Sequence, residues 1–174
     1  LDPAQNQLGE EHWNDLCQQT FGEHALRAKN IYEQTRPEES PWQLISSIRT
    51  DTAFRQRAQR ISEQRVQANN KTWMYWFTWP TPVLDGIVGS CHGLDIPFAF
   101  DNLSLPRTDD LTGDGAERTE IAKRFADEIA QFAKSSTPSW PAFDLADRST
   151  LEINAEIAVL SDPEKEIREI YLSL

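Results

Sequence analysis

Between residues 73 and 79 the chain reads Trp73-Met74-Tyr75-Trp76-Phe77-Thr78-Trp79. Such a run of bulky rings favours an extended strand over a helix. Both faces of that strand are apolar, so it belongs inside a sheet that is covered on both sides. Little else in the chain can build such a sheet. The first 70 residues contain no convincing strand. Later on, only Thr150-Leu151-Glu152-Ile153 and the segment from Ala155 to Leu160 qualify. Two or three strands among four or five helices make a poor sheet by themselves. The neighbours of the aromatic strand are therefore expected from outside this chain.

The remaining pattern is helical. Residues 8 to 34 are polar, with apolar returns at Leu8, Leu16, Leu26 and Ile31, and read as one or two surface helices. Ser40-Pro41-Trp42-Gln43 is a helix start, in which Ser caps, Pro suits the first turn and Gln completes a capping box. Leu44, Ile45 and Ile48 form its buried face. A longer helix is expected from Asp51 to Ala68, with Phe54, Ala58 and Ile61 inward at i, i+4, i+7. Another runs from Glu117 to Ala133 with Ile121, Phe125, Ile129 and Phe132 on one face, and Pro138 to Pro141 ends it. Asp162-Pro163 is expected to cap a terminal helix that carries Ile167, Ile170 and Tyr171.

After the aromatic strand, Pro80, Pro82 and Gly86 open a loop that leads to Gly89-Ser90-Cys91-His92-Gly93-Leu94-Asp95-Ile96-Pro97-Phe98-Ala99-Phe100. Glycines on either side of a histidine permit a close backbone approach and unusual dihedrals. That is how a loop presents an imidazole at the end of a sheet. A histidine held there can serve as a general base near neutral pH. The bland reading is that His92 is a satisfied loop or core residue. Gly89 to Gly93 also has the outline of a nucleophile elbow with Cys91 at its centre. An elbow needs a strand directly before it and a helix directly after. Here a Pro- and Gly-bearing loop precedes, and Pro97 argues against a helix after. Cys91 is thus expected to pack as an ordinary thiol. His12 and His24 stand isolated on polar helical stretches, without metal-ligand spacing, and read as surface residues.

Charge narrows the function classes. With 17 basic and 28 acidic residues the net charge is -11. Nucleic-acid binding requires clustered Lys and Arg, so that role is excluded, and with it a base-stacking role for the aromatic segment. The basic run from Arg55 to Arg65 has helical spacing and reads as a solvated face. The two cysteines, Cys17 and Cys91, allow one disulfide but no disulfide framework, and reduced thiols are the default. No apolar run approaches the length of a membrane span, and no signal peptide opens the chain. The address of the parent is left open, with the cytoplasm favoured.

Several blocks, in order, resemble the type B carboxylesterases, the family that includes the cholinesterases. Thr50-Asp51-Thr52-Ala53-Phe54-Arg55 is similar to the family's T-D-x-x-F-R segment. Trp73 to Trp79 stands where the family has an aromatic strand. Gly89 through Phe100 resembles its G-x-x-H-G-x-[DE]-x-P-F-x-F block. Phe132-Ala133, Pro138 and Trp140-Pro141-Ala142-Phe143-Asp144 resemble its ending, with one loop glycine replaced. The resemblance implies an α/β fold. Residues 1–174 would form a single C-terminal segment of an incomplete α/β-hydrolase domain, helix-rich with a small partial sheet. It also implies ester hydrolysis by a Ser-acid-His triad in that chain order. His92 would be the triad base, Asp95 a supporting carboxylate one turn beyond it, and Phe98 and Phe100 would pack the loop onto the core.

Two parts of the triad are missing from the sequence. No G-x-S-x-G occurs, and Gly9-Glu10-Glu11 is a poor match for the family's acid segment. The oxyanion-hole glycines also belong upstream. The chain alone is therefore expected not to turn over esters. Its expected partners are the N-terminal part of the esterase, or a second copy of itself, and a small ester substrate in the full enzyme. No cofactor, metal, nucleic acid or membrane is implied. The other reading is a non-catalytic, cholinesterase-like binding or adhesion module.

Overall fold

The computed structural model describes residues 9–174. These fall into two compact units. One runs through Gln64 and includes Pro163–Leu174, and the other is Arg65–Asp162.

The first unit is helical. Helix α1 (Glu10–Phe21) and α2 (Ala25–Thr35) are joined by a 3-10 turn, Gly22–His24. Their buried residues are Trp13, Cys17 and Phe21 on α1 and Ala25, Ala28 and Tyr32 on α2. The expected apolar returns are not the main inward face. Leu26 is 71% exposed, Leu16 and Ile31 are only partly buried, and Leu8 lies outside the described residues. The large rings decide the matter because they bury more area. Trp13 and Tyr32 meet edge to face at 6.0 Å. Helix α3 (Pro41–Thr50) starts as the sequence implies. Ser40 and Gln43 form the reciprocal capping box, and Leu44, Ile45 and Ile48 are buried.

The helix expected from Asp51 to Ala68 is instead a π-helical turn, Asp51–Arg55, followed by α4 (Gln56–Gln67). The wider turn changes which residues face inward. Asp51, Gln59 and Ser62 are buried, whereas Phe54 is 68% exposed and Ala58 and Ile61 are also exposed. A polar cluster accounts for this turn. Asp51 Oδ2 accepts a 2.6 Å hydrogen bond from Tyr32 Oη. The Arg36 guanidinium lies over the Tyr32 ring, 3.8 Å from Asp51 and 2.5 Å from Glu164. Arg55 also pairs with Glu164. Burial raises the Asp51 carboxyl above its ordinary range, against the pull of the Tyr32 hydrogen bond and the nearby arginines. Helix α8 (Lys165–Leu172) contributes Ile167 and Ile170 to the same core. Asp162 does not cap it as expected. Glu164, with a left-handed φ of 56°, stands at the N-cap, its carboxylate held by the two arginines.

The second unit carries the sheet, in the order β1-β2-β3. Strand β1 is Met74–Phe77, β2 is Thr150–Ile153 and β3 is Ala158–Leu160. Strands β1 and β2 pair in parallel, Met74 opposite Thr150 through Phe77 opposite Ile153, and β2 pairs antiparallel with β3. A parallel pair needs a crossover connection. Here α5 (Asp95–Ala99), α6 (Thr108–Thr112) and α7 (Ala116–Ser135) lie in it. Alternate rings of the aromatic segment pack on these helices. Trp73 meets Phe132, Tyr75 and Phe77 meet Phe125, and Phe77 and Trp79 meet Phe98, with centroids 5.1–6.2 Å apart. Trp140 Nε1 donates to the Met74 carbonyl at 3.0 Å, and the Phe143 N–H donates to the Thr72 carbonyl. The tryptophan-proline block therefore closes over the start of β1. The strand stands at the edge of this sheet. The fold is the helix-rich, small-sheet α/β arrangement that the sequence implies.

Candidate active site

Beyond Phe77 the chain runs through a turn-rich segment, residues 78–90, to His92. Trp79 Nε1 donates to the Thr112 carbonyl at 2.9 Å. The buried Thr81 hydroxyl donates to the Leu111 carbonyl at 2.6 Å, and the Thr81 N–H donates to the Gly89 carbonyl at 3.0 Å. Ser90 Oγ then reaches back and donates to the carbonyl of Phe77, the last residue of β1, at 3.0 Å. The segment is thereby pinned against α6 and returned to the carboxyl end of a parallel strand. In α/β sheets that end is where ligands and chemistry gather.

His92 follows two residues later, in a turn, with its side chain exposed. Gly89 and Gly93 both have positive φ, 63° and 80°. Other L-residues enter that region only with strain, so the two glycines are what the turn requires. Leu94, 0% exposed, plugs the turn into the interior.

Pro97 does not prevent a helix after the turn. Helix α5 begins at Asp95 and places Pro97 within its first turn, where a missing N–H costs no intrahelical bond. That part of the argument against an elbow at Cys91 is corrected. The other part stands, because β1 ends at Phe77 and no strand leads directly into Gly89. Cys17 and Cys91 are both free thiols, the first buried and the second half-buried.

Asp95 is the first residue of α5, and its carboxylate accepts a 3.1 Å hydrogen bond from Tyr75 Oη on β1. Burial and the adjacent Asp95 carboxylate push the Tyr75 phenol up to about 12. Among the described residues no hydrogen bond joins Asp95 to His92. The two are held on one turn, three positions apart, without touching through polar atoms. Phe98 is fully buried against Phe77 and Trp79, as its place in the motif implies. Phe100 is not; it is 73% exposed. A five-residue helix turns Phe98 inward and carries Phe100, two positions on, to the opposite side.

Ser90, Thr81 and Trp79 were not marked as site residues by the sequence. Their bonds go to backbone carbonyls 13 to 33 positions away, which no local pattern announces. His12 is exposed and His24 half-buried, with its Nε2 3.8 Å from Glu23. Among the described residues no group of three or more His, Cys, Asp or Glu could hold a metal ion, and no helix is long and apolar enough to cross a membrane.

Comparison with known proteins gives a consistent result. The chain is 27% identical over 166 residues to the phenmedipham hydrolase of Pseudarthrobacter oxydans, a match that covers 90% of this chain and 33% of that protein. It is 34% identical over 113 residues to the para-nitrobenzyl esterase of Bacillus subtilis, covering 56% of this chain and 21% of that one. Its structure is similar to that of a Geobacillus stearothermophilus carboxylesterase, with a TM-score of 0.81 at 27% identity, covering 98% of this chain and 36% of the other. The chain thus spans about a third of the length of the phenmedipham hydrolase and of the Geobacillus carboxylesterase. The model of the carboxylesterase family matches residues 4–168, a span that includes the aromatic strand, the histidine turn and the tryptophan-proline block, and the chain belongs to that family.

Proposed function

We propose that this chain is the part of a carboxylic-ester hydrolase that supplies the general base, His92. The observation that carries the reading is the Ser90 tether. It returns the turn that carries the exposed, glycine-flanked His92 to the carboxyl end of β1. An imidazole there can take the proton of a serine hydroxyl as the hydroxyl attacks an ester carbonyl, and then deliver that proton to the departing alkoxide. The serine, the acid that orients the imidazole and the donors for the oxyanion belong to protein outside this sequence. The aromatic strand supports the same reading. It is an edge strand here, and an edge so rich in rings is where further strands of a larger sheet would add. The partner of this chain is then the rest of the esterase, and its substrate a small carboxylic ester.

The test is hydrolysis of p-nitrophenyl acetate by the chain alone and by the chain joined to the upstream segment of its parent. The chain alone should not exceed free imidazole. The joined protein should turn over. A joined, folded protein without activity would favour the binding-module reading. Turnover by the chain alone would contradict the assignment of the nucleophile to the upstream part.

A further inference from the structure

Of the rings that the aromatic segment turns toward α5 and α7, only Tyr75 carries a hydroxyl. Its ring rests edge-on against Phe125, 5.1 Å between centroids at 60°. That contact holds the ring while leaving Tyr75 42% exposed. The hydroxyl is directed to Asp95 Oδ2. Asp95 opens α5, and only Gly93 and Leu94 separate it from His92. The histidine turn therefore has two ties to the same strand, one on each side of the imidazole. Ser90 binds the Phe77 carbonyl before it, and Asp95 binds Tyr75 after it. Gly93 lies between them at a φ of 80°, a conformation with no intrinsic hold on a single set of dihedrals. Leu94 and Phe98 pack the turn and α5 onto the core, but the second tie is the polar contact that joins the first residue of α5 to β1.

We propose that Tyr75 is a positioning residue for His92, acting through Asp95, and that the Tyr75–Asp95 hydrogen bond fixes the direction in which the imidazole meets the serine. The inference rests on the reading of His92 as the general base. The phenol remains a donor throughout the neutral range, since burial and the Asp95 carboxylate raise it to about 12. Within the neutral range the tie therefore does not depend on ionisation of the phenol. Misplacing a general base by a fraction of an ångström slows the chemical step and leaves ester binding alone, so the loss belongs in kcat.

The experiment uses the full-length esterase that contains this segment, with Tyr75→Phe, Asp95→Asn, the double variant and His92→Ala. Turnover of p-nitrophenyl acetate is measured per mole of folded protein, and melting temperature is recorded alongside. Tyr75→Phe and Asp95→Asn should each lower kcat about tenfold with KM within about twofold. The double variant should fall no further than the weaker single, since both changes break one tie. Wild-type kcat in Tyr75→Phe, with His92→Ala inactive, would overturn this inference and leave the base assignment standing. So would single effects that multiply in the double variant, or a lowered melting temperature without a loss of kcat. Activity retained by His92→Ala would overturn the base assignment and this inference together.

Discussion

Cys17 is buried in the helical core, and burial pushes its thiol up to about 12, with Lys29 opposing and Glu33 adding to the shift. An unfolded cysteine titrates at about 8.5. The folded state therefore holds this proton more tightly than the unfolded state does. The stability it contributes is complete below about pH 8.5 and is lost as pH rises from there toward about 12. The midpoint of urea unfolding should fall between pH 8 and pH 10, and Cys17→Ala should show a shallower fall over that interval. Equal slopes would mean that the thiol is not shielded. Cys91, half-buried and in a turn, should be alkylated by iodoacetamide at pH 8 while native Cys17 is not, as peptide mapping would show. At this scale the turn that carries His92 was legible, because its glycine flanks and the preceding aromatic strand are local in sequence. The place of Asp95 shortly after that turn was legible too. Its partner Tyr75 was not, since the bond between them spans 20 positions and a tyrosine in an aromatic strand reads first as packing.

At the scale of elements, the π-helical turn at Asp51–Arg55 is the largest departure from the sequence pattern. The stripe Phe54, Ala58, Ile61 has ideal helical spacing and yet faces outward. Periodicity weighs apolar residues only, and here a polar cluster decides the orientation. Asp51 is brought inward to the Tyr32 hydroxyl, and Arg55 toward Glu164. The T-D-x-x-F-R segment thus buries its aspartate and pairs its arginine, while its phenylalanine is exposed. Tyr32→Phe would remove the donor to a buried carboxyl, and should destabilise the protein by about 1–3 kcal/mol in chemical unfolding. A change well below that would show that Asp51 is satisfied by the arginines alone. Helices α1 and α2 teach a related lesson. Counting Leu and Ile pointed to Leu26, whereas the buried face is set by Trp13, Phe21 and Tyr32, whose rings carry the larger area. The capping box of α3 was readable because its contacts are three residues apart, and strand β2 because its Thr-Leu-Glu-Ile alternation is local in sequence.

For the whole molecule, the chain is a third of the length of the esterases it resembles, and its sheet is correspondingly small. The aromatic strand was expected to find its neighbours outside the chain, but the chain itself supplies one of them, β2, and leaves the other edge of β1 unpaired among the described residues. Membership of the carboxylesterase family was legible from blocks that keep their order along the chain. The arrangement of the loop around His92 was not legible, because the Trp79, Thr81 and Ser90 bonds that shape it are tertiary. The account as a whole depends on one imidazole acting as a base. The direct measurement is hydrolysis of a short-chain aryl ester by the full-length protein and its His92→Ala variant, at matched folding and concentration. Turnover should fall by about 10⁴-fold, the loss that follows removal of a triad base. A variant that kept most of the activity would contradict the account, since the proton of the attacking serine would then be taken by another group.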